Sequence, residues 1–240
     1  MAKDVFGYCS VCNEYTKLTF EHIPPKKSFN NKPIFIKNYN SLFDEKSHYY
    51  GSKRILNQGS GDFTLCRKCN SNTGDWYGRD YISWSEQGND ILIANKGKRI
   101  IACNFKIKPL NVLKQLFSFF LSLDKMGVLK NYKELVKFVL EKDNNILSEK
   151  FKIYMYLNYS SIHRFIGYSY VAGEGISSIC RWSEINFKPF GFLFCDDSPP
   201  ANSFLVDITF FKNFSYNQLV VLNISLFYLD VPDLNIGLYK

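Results

Sequence analysis

The stretch Cys66-Arg67-Lys68-Cys69-Asn70-Ser71-Asn72-Thr73-Gly74 decides how the first third of the chain is read, together with Leu18-Thr19-Phe20-Glu21-His22-Ile23-Pro24-Pro25-Lys26 upstream of it. Its cysteines repeat a spacing already present at Cys9-x2-Cys12. Two such pairs supply four thiolates, the number and softness that a tetrahedral zinc site takes. Two intervening residues let both sulfurs of a pair face one metal. Residues 13–65 then form one large loop closed at the metal.

Inside that loop, Leu18 to Ile23 alternates as a short strand does. Leu18, Phe20 and His22 fall on one face and Thr19, Glu21 and Ile23 on the other, and Pro24 ends the pairing. Asp62-Phe63-Thr64-Leu65 predicts a second strand running into Cys66. From there Cys69, Thr73, Trp76, Asp80 and Trp84 follow helical spacing. The predicted order is strand, loop, strand, helix. A histidine beside a carboxylate, with an asparagine opening the helix, offers a base of near-neutral pKa and hard oxygen donors. That combination suits phosphodiester hydrolysis assisted by Mg²⁺ or Mn²⁺.

Glu21-His22-Ile23-Pro24 followed by Cys66-x2-Cys69-Asn70-x3-Gly74 resembles the HNH endonucleases of the ββα-metal, or His-Me finger, class, in a zinc-stapled branch. The resemblance covers roughly the first third of the chain. It implies a ββα nuclease domain over residues 1–85, with His22 as general base and a catalytic divalent cation held by Asn70 and Glu21, the latter standing where Asp is more frequent. Asn72 is an alternative to Asn70 if the register slips, and the central residue of the motif is Asn57 or Asp62. The resemblance further implies nucleic acid as substrate, DNA ahead of RNA, and associates standalone bacterial members with phage defence. Lys26, Lys27, Arg67 and Lys68 are the candidate phosphate contacts. The competing expectation is a zinc-stapled module that binds nucleic acid or protein without cutting it.

The charge is placed accordingly. The net +8 divides as 17 Lys and Arg against 10 Asp and Glu over residues 1–108, and 13 against 12 over residues 109–240. The aromatics of the large loop, Phe29, Phe35, Tyr39, Tyr49 and Tyr50, are expected to pack a small satellite core, the alternative being that they stack on exposed bases. Cys103, Cys180 and Cys195 lie among apolar neighbours and are expected as core thiols, and Trp76, Tyr77 and Trp84 as packing residues. No apolar run is long enough for a membrane span, and the N-terminus lacks the apolar stretch of a secretory signal. A cytosolic setting is expected, in which the cysteines bind metal rather than pair as disulfides.

Residues 86–240 read as an α+β accessory domain. Leu110, Leu113, Phe117, Phe120 and Leu121 mark one helix after Pro109, and Tyr132, Leu135, Val136, Val139 and Leu140 mark a second beyond Gly127. Strand-length pieces follow at Phe151–Tyr159, Arg164–Ala172, Phe187–Cys195, Ser203–Phe211 and Leu219–Leu229, predicting a mostly antiparallel sheet. A homo-oligomer is compatible with this composition.

Overall fold

The N-terminal cysteine pair sits in the turn between two antiparallel strands, β1 (Phe6–Tyr8) and β2 (Tyr15–His22), in a computed structural model that describes residues 4–37, 41, 44–171, 180–197, 200 and 203–229. The other edge of β2 pairs antiparallel with β5 (Gly61–Cys66). Cys66 then caps α1 (Arg67–Thr73), its sulfur accepting from the Cys69 amide at 3.4 Å. A π-helical turn, Gly74–Gly78, leads without a break into α2 (Arg79–Ala94). The predicted strand, loop, strand, helix order is present, and residue 85 falls inside α2.

The connection between β2 and β5 carries a short hairpin of its own, β3 (Ile34–Ile36) against β4 (Arg54–Leu56). Phe29, Phe35, Tyr49 and Tyr50 are all exposed. The expected satellite core is therefore not formed by them: the hairpin is too small to bury both of its faces. Tyr39 lies outside the described residues.

The helix pair is α3 (Pro109–Leu123) and α4 (Lys133–Leu140). Pro109 occupies the first turn of α3, where its missing N–H costs nothing. Every residue of α3 from Pro109 to Ser122 is buried, so this helix lies between layers. On one side Phe117 and Phe120 meet Phe194 at 5.9 and 5.5 Å between ring centroids. Phe194 belongs to β10 (Phe190–Asp196), in an all-antiparallel sheet ordered β11-β7-β10-β9-β8, the others being β7 (Phe151–Leu157), β8 (Arg164–Val171), β9 (Cys180–Phe187) and β11 (Val206–Asp207). On the other side, Ser122, Gln115 and Asn111 reach the N-terminal ββα unit.

The fold is thus α+β with antiparallel sheets, and three strand assignments are corrected. Cys180–Phe187 is a strand that the Gly- and Ser-rich approach to it conceals. Ser203–Phe211 is a two-residue strand followed by a 3-10 turn, Thr209–Asn213. Ile100–Ile107 is a strand, β6, with Ile101, Cys103, Phe105 and Ile107 inward, and it pairs with β12 (Val220–Phe227). Cys103 and Cys195 are buried thiols as expected, while the side chain of Cys180 lies outside the described residues.

One apolar core runs from Cys9 and Leu18 to Leu226. Its aromatic centre is Trp84 of α2, fully buried, with Phe190 at 4.6 Å, Phe192 at 5.7 Å and Phe105 at 5.9 Å. Gly88, one turn on, leaves room for the Phe190 ring, because a Cβ there would overlap it. Alanine at a helical glycine ordinarily stabilises by about 1 kcal/mol. Gly88→Ala should instead destabilise the chain by about 1–3 kcal/mol, the cost of overpacking, as a lower denaturation midpoint in urea at unchanged slope.

Candidate functional site

The sulfurs of Cys9, Cys12, Cys66 and Cys69 all lie within 4.8 Å of one another. Cys12 and Cys66 are 3.8 Å apart, the separation that two zinc bonds of about 2.3 Å at a tetrahedral angle produce. The Cys66 amide points at the Cys9 sulfur from 3.3 Å, as amides do toward knuckle thiolates. A hydrogen bond from the Cys69 thiol holds Cys9 far below the usual thiol range, at about 4. That bond raises Cys69 in turn, and burial pushes Cys12 up to about 11. Burial and crowding thus oppose simultaneous ionisation of these thiols, and a bound Zn²⁺ would offset that cost. Number, softness and spacing of the donors fit zinc.

Beyond the knuckle, a cavity of about 230 Å³ opens between the end of β2, α1 and α3. Glu21, His22 and Asn70 all line it, with Lys26 and Arg79 at exposed positions and Gln115 of α3 behind them. Gly74 and Gly78 line it too, so the π-helical turn presents backbone rather than side chain to this space. Arg67, Lys68 and Lys27 are exposed but do not line it.

His22 is half-buried, edge-on to Phe20 at 5.0 Å, and its Nε2 lies 3.1 Å from the carbonyl oxygen of Gln58. A carbonyl only accepts, so Nε2 carries the proton and Nδ1 keeps the lone pair. Burial and the nearby Lys26 charge hold its pKa below 6.5 against the opposing effect of the Gln58 bond. At neutral pH His22 is therefore an uncharged base.

Asn70 donates from Nδ2 to Thr19 Oγ1 at 2.9 Å and to the Phe20 carbonyl at 3.4 Å. This ties α1 to β2 and leaves Oδ1 as the atom able to accept. Thr73, one turn on, closes on its own helix, donating to the Cys69 carbonyl at 3.0 Å.

Glu21 projects from the opposite side of β2 and is buried. Ser122 at 2.5 Å and Thr64 at 3.2 Å both donate to one oxygen, Oε2. Burial nevertheless pushes the carboxyl up to about 7. Asp62, across the strand pair from Glu21, is exposed and bridged to Lys125 at 2.5 Å. Burial works against its charge, but hydrogen bonds from Lys125 and from the Phe63 amide hold its carboxyl below the usual range. Asn57 is exposed, and Asn72 does not line the cavity.

Two residues central to the geometry carried no sequence signal. Asn30 is buried and bonds the Pro24 and Ser60 carbonyls at 2.7 Å each, while its Oδ1 accepts from the Ser60 amide at 2.6 Å. It thereby pins the two ends of the long connection behind His22. Gln115 is buried, and its Oε1 has no hydrogen-bond partner among the described residues although the residue borders the cavity. An orphaned buried acceptor is uncommon, and this one belongs to a residue bordering the same cavity that Asn70 and Glu21 line. No family model, curated protein or solved structure matches the chain.

Because the folded chain holds the Glu21 proton more tightly than its ordinary 4.5, stability is fullest below that pH and declines as pH rises through about 7. Glu21→Gln should therefore raise unfolding free energy by roughly 1–3 kcal/mol at pH 8, with zinc retained and no other divalent ion added. The gain should shrink toward pH 5, as chemical denaturation at the two pH values would read.

Proposed function

We propose that this chain is a metal-dependent nuclease of the HNH type, hydrolysing phosphodiesters, DNA ahead of RNA, in the cavity between β2, α1 and α3. The observation that carries this reading is His22: a neutral imidazole whose Nε2–H is committed to a backbone carbonyl, leaving Nδ1 free, in the same cavity as Asn70. That is the state a general base needs before it takes a proton from water.

In this reading the Gln58 carbonyl fixes the imidazole tautomer, Asn30 fixes the connection that carries Gln58, and the cysteine knuckle, loaded with zinc, fixes α1 and with it Asn70. Asn30 takes the place of Asn57 or Asp62 as the polar residue of the connection, since it alone of the three is buried and bonded to both ends. Asn70, Gln115 and Glu21 would hold Mg²⁺ or Mn²⁺, which supplies charge stabilisation at the phosphate and the leaving oxygen. Arg79 and Lys26 place positive charge at the cavity for the scissile phosphate.

Glu21 is the weaker donor of the three, with one oxygen engaged by Ser122 and Thr64. That observation favours the second reading, a zinc-stapled module that binds without cutting. Cleavage decides between them. Zinc-loaded protein with Mg²⁺ or Mn²⁺ should nick plasmid DNA, and His22→Ala should lower the rate about 10²–10⁴-fold at unchanged zinc content and melting temperature. Activity should fall as pH drops through an apparent pKa below 6.5, and Lys26→Glu should move that limb upward. Equal rates for wild type and His22→Ala would reject the nuclease reading.

A further inference from the structure

We infer that the connection between β2 and β5 is a grip for unpaired nucleobases, so that the substrate presented to His22 is single-stranded or locally opened nucleic acid. This rests on the nuclease reading for its partner class, but it comes from a different part of the molecule.

Charge comes first. Between Lys26 and Arg54 there are seven Lys and Arg against Asp44 and Glu45, a balance of +5 out of +8 for the whole chain. All seven cations are exposed. None forms an ion pair with a described carboxylate, in contrast to Lys17, Lys108 and Lys125 elsewhere. Arg54 alone acts at longer range on a described carboxylate outside the segment, Asp62, and a solvated segment of this net charge favours a polyanion.

Apolar surface is exposed in the same segment. Phe35 is 64% exposed, Tyr49 59%, Ile55 53% and Tyr50 50%. Phe35 and Ile55 are direct cross-strand partners in the β3–β4 hairpin, so they share one face, and Lys53 lies over the Phe35 ring at 4.7 Å. Flat rings standing in solvent with ammonium groups beside them match what stacking on bases and pairing with their phosphates requires. A duplex, whose bases are already stacked, offers these rings little.

Position links the segment to the cavity. β4 ends at Leu56, and Gln58, two residues on, is the residue whose carbonyl holds His22. Only three residues, the last two in a turn, carry the chain from Ile55 to Gln58, so the Phe35–Ile55 pair stands within about 10 Å of that contact. This is one to two nucleotides of an extended strand. A protein partner would also cover apolar surface, but the +5 balance favours nucleic acid.

The test measures binding with the full-length, zinc-loaded His22→Ala protein in Ca²⁺, which keeps substrate intact. Fluorescence anisotropy with a labelled 20-nucleotide single strand is compared with the same sequence as a blunt duplex. The single strand should bind more tightly. Phe35→Ala/Tyr49→Ala/Tyr50→Ala, all at exposed positions, should lose about tenfold or more on the single strand and less than threefold on the duplex. Lys32→Glu/Lys53→Glu should weaken both forms and flatten the salt dependence. Unchanged single-strand affinity in the triple-alanine protein, or wild-type preference for duplex, would overturn the inference while leaving cleavage by the wild type to stand. Self-association through this face without nucleic-acid binding would overturn it as well. A wild type that neither binds nor cuts any strand would instead remove the nuclease reading.

Discussion

Four cysteine sulfurs brought within 4.8 Å of one another are the constraint on which the N-terminal architecture depends. One pair lies in the turn before β2 and the other at the junction of β5 and α1. Joining them fixes how the strand that carries His22 meets the helix that carries Asn70. Four thiols this close cannot all ionise unaided, as the opposite displacements of Cys9 and Cys12 show. A divalent cation held by all four would stabilise the folded chain and so couple cation binding to the geometry of the cavity.

Helix α3 is the second fixed element. Ser122 donates to Glu21, Asn111 Nδ2 donates to Asp80 at 2.7 Å, and Gln115 backs the cavity. Lys114, buried in the same helix, is held by the carbonyls of Phe138, Glu141 and Asn144 and is lowered by burial to about 7. It closes the C-terminal end of α4 rather than serving the site. On its far face α3 packs on the five-stranded sheet through Phe117 and Phe120. The cavity is consequently walled by residues far apart in sequence, and residues 109–123 belong to it as much as residues 18–26 do.

What could be read from sequence was what spacing encodes. The cysteine pairs, the alternation of β2, the helical rhythm from Cys69 onward and the two helices flanking Gly127 are local patterns, and each is present. What could not be read depends on partners distant in the chain. Glu21 and Ser122 are 101 residues apart, and nothing near either announces the other. Asn30 looks like any loop asparagine until Pro24 and Ser60 are seen on both sides of it. β6 pairs with β12, more than a hundred residues on, and the expected satellite core failed because aromatic composition does not say whether a hairpin has anything to pack against.

In the proposed reading Asn70, Gln115 and Glu21 hold a hard divalent cation beside His22, apart from the thiolate cluster. Paramagnetic broadening by Mn²⁺, added to isotope-labelled, zinc-loaded protein, reads this directly. Substoichiometric Mn²⁺ should selectively broaden the His22 imidazole and the Asn70 and Gln115 side-chain amides, with competition by Mg²⁺ and no loss of zinc. Broadening confined to surface carboxylates such as Glu149, with these three signals untouched, would contradict it.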